Sequence, residues 1–301
     1  MVAARVGCVM VSVAQGDLFV ATSIDPPLRD NQSAMEHPFL SLQKRRTKPI
    51  SYVNDKVRLD VYAPEKFGIA TIWDWDIIIG ISSHINDGIE GGIPTSPRVR
   101  FAPYNLLKTI GRGTGGKDYR DLAAAIRRLR MTTVITNIRE EDGAGVERSF
   151  AWVSDYAIPT RYTTVLTPED HQGEADPTRP WIVELPAWLY NAITRRRDIL
   201  AVHPSYFGLT SGIARALYRL ARKAVPDTQA GVWNYRLETL HHRLGVTSSK
   251  REFSRAVREI AAADVLPEYT INIAKKDGHE TVTFIRDRGK PPRPRRGVYR
   301  P

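Results

Sequence analysis

The chain of 301 residues is 42% hydrophobic and carries 44 Lys and Arg against 33 Asp and Glu, a formal net charge of +11. That apolar share is enough for two ordinary domains, and the surplus of positive charge points to polyanionic partners. A single cysteine, Cys8, excludes an internal disulfide framework and fits a reducing, cytoplasmic setting. No apolar run approaches the ~20 residues that cross a bilayer, so no membrane partner is expected.

The opening "MVAARVGCVMVSVAQG" has the loose shape of a secretory leader, with too little charge before too short an apolar stretch. Residues 1–35 are therefore expected to be a disordered arm, with Met10 and Met35 as alternative starts. A first domain is expected over residues 36–160. Val57, Leu59 and Val61 alternate as in a strand. "WDWDIIIGISSHI" seeds a helix that Asp74 can cap, with Ile78, Ile81 and Ile85 as its stripe. Pro103 opens a short helix with Leu106, Leu107 and Ile110 on its buried side, and the glycines of "GRGTGG" end it.

The next helix, about residues 117–130, has Tyr119, Leu122, Ala123, Ile126 and Leu129 at helical spacing. Lys117, Arg120, Ala124, Arg127 and Arg128 recur on another face. Strand-like "TTVITNI", the turn "EEDGAG", and then Phe150, Trp152 and Tyr156 read as a two-stranded wing. Residues 161–180, with Pro168, Pro177 and Pro180, read as a linker.

Residues 181–286 repeat the scheme. Ile213, Leu217, Leu220 and Ala224 make one amphipathic helix; Leu237, Leu240, His241 and Leu244 make the next, which Gly245 stops. Ser249 and Glu252 have the spacing of a capping box. Beyond them Phe253, Ala256, Val257, Ile260 and Ala261 face inward, leaving Arg251, Ser254, Arg255 and Arg258 outward. Tyr269, Ile271 and Ile273 alternate as a strand, "KKDG" turns, and Val282 and Phe284 lie on the return. The tail, residues 287–301, is rich in proline and arginine and should stay extended.

This order of elements is that of the winged helix-turn-helix, whose second helix enters the major groove. The expected fold class is therefore α+β: two tandem winged helix-turn-helix domains with a flexible arm and a basic tail. The bland reading of an arginine row is a solvated helix face. Rows nearly free of acids, recurring at one structural position in both copies, favour duplex DNA instead. Arg120, Arg127, Arg128, Arg251, Arg255 and Arg258 are the candidates for base contacts, since Arg matches guanine bidentately. Ser254 lies in the same row. Lys117, Lys250 and the wing-turn Lys275 and Lys276 are the candidate phosphate contacts.

The chain also resembles the replication initiator protein A family of bacterial plasmids over most of residues 35–286. The resemblance rests on "MEHPFLSL", "GIATIWDWDIIIG", "VRFAPYNLLKTIGRGTGGKDYRDLAAAIRRLRMTTVITNI", "ILAVHPSYFGL", "LYRLARKA" and "DVLPEY". It implies an iteron-type initiator that binds repeated double-stranded sites in its own plasmid origin. Such a protein helps open the duplex and brings in the host initiator ATPase and the replicative helicase. The resemblance also implies an operator-bound homodimer as a further form. A winged-helix repressor without a replication role is the alternative, and a scaffold using its basic face for something other than DNA is a third class.

Enzyme readings are weaker. "GRGTGGKD" satisfies G-x-x-x-x-G-K, yet a P-loop needs Ser or Thr after the lysine to hold Mg²⁺, and here Asp118 follows. His241 and His242 are adjacent, so on a helix they point about 100° apart and cannot chelate one metal as an i, i+4 pair would. Asp74 and Asp76 could suggest a metal-dependent nuclease pair, but helix capping accounts for one of them. The spacing of the six tryptophans within apolar segments favours core anchoring over base stacking. No catalytic residue, cofactor or metal is expected.

Overall fold

The computed structural model describes residues 18–23, 25–54, 57–138, 146–159, 162, 180–194, 198–227, 231–287 and 289. Helix α1 (Trp75–Glu90) is its hub. β-Branched isoleucines are poor helix formers because they lose χ1 freedom. Ile77, Ile78, Ile79, Ile81 and Ile85 are all at most 1% exposed, so burial on every side outweighs propensity. Each such side chain contributes roughly 1.5–3 kcal/mol when taken out of water. At Gly80 a Cβ would stand 2.6 Å from Leu106 Cδ1, so the missing side chain lets α2 (Pro103–Thr109) lie close against α1.

Around this hub the chain weaves sheets from distant segments. Strand β1 (Phe19–Ala21) pairs in parallel with β5 (Arg98–Phe101), which pairs antiparallel with β9 (Trp181–Glu184); β8 (Asp155–Ala157) closes that sheet. Strand β2 (Arg29–Asn31) pairs with β10 (Ile199–Ala201). A second four-stranded sheet runs β3 (Ile50–Asn54), β4 (Val57–Tyr62), β6 (Thr133–Thr136), β7 (Arg148–Ala151). Helix α3 (Gly116–Met131) precedes β6, and α4 (Ala187–Thr194) follows β9 and packs on α1. Helices α5 (Gly212–Ala224), α6 (Leu237–Arg243) and α7 (Lys250–Ala262) accompany a three-stranded sheet. Its order is β11 (Val232–Arg236), β13 (His279–Arg286), β12 (Tyr269–Lys276).

Four expectations need correction. The disordered arm does not extend to residue 35: β1, β2 and a 3₁₀ turn at Ser33–Met35 are ordered, with Asp30 only 1% exposed. Residues 1–17 lie outside the described set. The boundary drawn at residues 161–180 does not separate two units, because β9 and β10 complete sheets whose other strands come from residues 19–157. Phe150, Trp152 and Tyr156 are not one wing strand. Phe150 is on β7, Tyr156 on β8 of the other sheet, and Trp152 between them is 1% exposed in the core. Finally, β11 stands between α5 and α6, where no strand was expected. "EEDGAG", most of residues 161–180 and the tail beyond 289 fall outside the described residues.

Helix α5 is fastened to α1 and β2 by buried charge. Arg219 Nε donates to Asp30 Oδ2 at 2.7 Å, and Trp75 Nε1 donates to Asp30 Oδ1 at 2.7 Å. Arg215 Nη1 donates to Asp76 Oδ1 at 2.6 Å, while its other nitrogens reach the carbonyls of Leu209 and Phe207. The Arg215 guanidinium also lies 4.9 Å from the Tyr206 ring centroid. Every charge here has partners, the condition under which a buried ion pair is tolerated. Gly212 starts α5 against the backbone of Leu42, where a Cβ would meet the carbonyl oxygen at 2.2 Å.

Candidate nucleic-acid interface

Helix α7 begins as its sequence indicates. Ser249 Oγ accepts from the Glu252 amide at 3.2 Å and the Ser249 amide donates to Glu252 Oε2 at 2.9 Å, a reciprocal capping box. Gly245, at φ +58°, ends α6 in the left-handed region that favours glycine. Phe253, Val257 and Ile260 are buried beneath α7. Positions 251, 254, 255 and 258 fall together on the opposite face by the helical repeat. Arg251, Arg255 and Arg258 are exposed there and Ser254 is half-buried.

The adjoining hairpin is built for a tight reversal. Lys276 pairs with His279, leaving Asp277 and Gly278 as a two-residue turn at φ +50° and +77°. Positive φ at both positions is the type I′ requirement, and it matches the twist of the strands. Ile273, Val282, Ile271 and Phe284 occupy the same sheet face, so Lys275 and its cross-strand partner Glu280 share the helix-facing side. Between α6, the start of α7 and this hairpin lies an open cleft of about 390 Å³, lined by Arg236, Glu238, His241, Lys250, Arg251 and His279.

The basic row is not free of acids. Lys250 pairs with Glu238, Arg255 Nε lies 3.7 Å from Glu259, and Arg258 pairs with Glu280. These pairs are solvated: the Arg255 side chain is 76% exposed. Exposed ion pairs are worth about 0–1 kcal/mol, so Lys250 and Arg255 are held loosely and can exchange for another anion, whereas Arg258 meets a carboxylate that is only 35% exposed and also accepts from Ser254 Oγ.

The first row departs further from expectation. Arg120 is exposed and Lys117, also exposed, pairs with Asp121 one turn along α3. Arg127 is half-buried. Arg128 is corrected outright: its Nε and Nη2 donate to the two oxygens of Asp74 at 2.8 and 2.7 Å. With Asp74 almost fully buried, this bidentate pair fastens α3 to the start of α1 and leaves no fork for a base. Asp74 also accepts from the Thr71 amide at 2.8 Å and makes no side-chain bond to the α1 amides, so the capping role expected for it is replaced by this one.

The glycine loop before α3 closes on itself. Asp118 Oδ2 accepts from the Gly115 amide at 2.9 Å, placing a carboxylate where a P-loop would bind phosphate. His241 bonds the Ser248 carbonyl oxygen at 2.7 Å and touches Phe253, whereas the His242 ring lies 4.9 Å from that of Tyr52. Trp75, Trp152 and Trp181 are core residues, while Trp233 on the edge strand β11 is 44% exposed.

The Arg215 and Arg219 pairs were missed by periodicity. Their signal was present, since carboxylates embedded in apolar "WDWD" and two arginines four apart in "RALYR" each imply a buried counter-charge. Among the described residues, no helix is long and apolar enough to cross a membrane.

Domains 2 and 3 of RctB superpose with a TM-score of 0.59 at 13% identity, covering 85% of this chain and 98% of that one. A second structure of RctB domains 2–3 gives a TM-score of 0.52 at 11% identity, covering 85% and 97%. At these identities the likeness is one of fold. A protein of Wigglesworthia glossinidia brevipalpis, named provisionally as a replication protein, is 27% identical over 257 residues, covering 85% of this chain and 88% of the relative. The model of the family described as replication initiator protein A matches residues 29–271, and the chain belongs to that family.

Proposed function

We propose that the protein initiates plasmid replication by binding repeated double-stranded sites at its origin, as tandem winged helix-turn-helix units. It then promotes opening of the duplex and recruits the host initiator ATPase and the replicative helicase. It acts in the cytoplasm, where plasmid DNA resides. The observation that carries this reading is the row Arg251–Ser254–Arg255–Arg258 on α7, flanked by a lysine-bearing hairpin and held up by a family-matched scaffold. Helix α7 is the main sequence reader. Helix α3, which offers Lys117 and Arg120 at its exposed start, adds phosphate contacts.

Two heads on one chain favour adjacent sites on one duplex, because the second contact forms at high effective concentration. The buried pairs Arg215–Asp76 and Arg219–Asp30 fasten α5 to α1 and β2, which supports a fixed spacing of the two heads. Footprinting of the purified chain on its native plasmid tests the proposal. Repeated protected sites beside an AT-rich stretch support it, and a single protected palindrome over a promoter would replace it with a repressor.

A further inference from the structure

The carboxylate of Glu280 sits at one end of the arginine row and was not among the residues expected to matter. It accepts from Arg258 and from Ser254 Oγ, the latter at 3.4 Å, and stands opposite Lys275 in the hairpin register. Its side chain is 35% exposed, so it faces the same solvent as the row it contacts. A carboxylate repels a phosphate brought to the same spot, whereas a base edge carries no net charge. An arginine held by a planar acceptor has lost the rotamer freedom that lets a cation reach for any nearby phosphate.

We infer that Glu280 is a specificity-determining positioning residue: it holds Arg258 toward a base edge and penalises backbone contact at that end of α7. This rests on the reading of α7 as the duplex reader. Removing the charge should free Arg258 to find phosphate, which adds affinity without adding information.

The test uses the full chain as wild type, Glu280→Gln and Glu65→Gln. Glu65 is exposed and remote in sequence from α7, so its substitution makes the same change in net charge elsewhere. Two duplexes of equal length serve as probes: one selected by the wild-type chain from a random-sequence pool, one scrambled. Binding is followed by fluorescence anisotropy over a salt series, with thermal unfolding measured in parallel.

Glu280→Gln is expected to tighten the scrambled duplex about 3–10-fold and to lower the selected-to-scrambled ratio about 10-fold. It should also steepen its log–log salt dependence by about 0.9, the signature of one added phosphate contact. Glu65→Gln is expected to change neither. A ratio within twofold of wild type for Glu280→Gln, or equal weakening on both duplexes, would overturn the inference. Failure of the wild-type chain to select any sequence would instead remove the reading of α7 on which it depends.

Discussion

Replacing Arg219 by Met should be among the most damaging single changes in the molecule. Arg219 is 4% exposed and Asp30 is 1% exposed, so the substitution leaves a carboxylate in the interior with the Trp75 indole N–H as its one remaining side-chain donor among the described residues. Breaking one side of a buried pair typically costs about 3–5 kcal/mol, because the remaining charge keeps its desolvation penalty. For a chain of this size, 1 kcal/mol corresponds to about 2–4 °C in Tm, so Arg219→Met should lower Tm by about 6–20 °C. The assay is urea unfolding followed by tryptophan fluorescence and circular dichroism, run as a double-mutant cycle. Asp30→Leu combined with Arg219→Met should recover at least about 2 kcal/mol of the loss, since no orphan charge then remains. A loss below about 1 kcal/mol for the single variant, or no recovery in the double, would refute the reasoning that Asp30 requires Arg219.

Other consequences are equally direct. Arg255→Ala should cost about 1–3 kcal/mol in duplex affinity and relax base preference at one position of the site; uniform loss across sequences would make it a phosphate contact. Arg128→Met should lower Tm while leaving the wild-type site preference in place, because its fork is committed to Asp74; a changed site selected from a random pool would contradict this. His84 in α1 is 3% exposed with neither ring nitrogen bonded, and burial lowers its pKa from 6.5 to about 4. The unfolded chain therefore binds this proton more tightly. The stability His84 confers is whole above pH 6.5 and declines as pH falls toward 4, by about 2 kcal/mol at pH 5. Substituting His84→Leu should remove that share of the difference in unfolding free energy between pH 8 and pH 5, and an unchanged difference would show that His84 does not titrate as stated.

Local elements were legible because their signals are local. The capping box at Ser249, the stop at Gly245, the Asp277–Gly278 reversal and the apolar stripes of α3 and α7 all stand where periodicity and turn chemistry put them. What escaped was whatever depended on a distant partner. Strands β1 and β2 are three residues each, too short for alternation to register, and exist because β5 and β10 lie beside them. Strand β11 escaped for a different reason. Val232, Trp233, Asn234 and Arg236 are all exposed, so the strand shows no inside–outside pattern. Arg251, Arg255 and Arg258 stand exposed on one face of α7 as the helical repeat predicts, but the sequence could not show that Arg128 in α3 faces Asp74 or that Glu280 faces Arg258. A charge says nothing by itself about where its counter-charge folds to.

The pairing of β2 with β10 also governs when the molecule can take shape during synthesis. An edge near residue 30 waits for a complement near residue 200, so a nascent chain released or cleaved around residue 160 would display unpaired strand backbone from both β2 and β5. Such edges are templates for self-association. Fragments comprising residues up to about 160 alone should therefore self-associate more readily than the polypeptide that carries β9 and β10, and these sheets cannot close until the segments at residues 181–201 have been made.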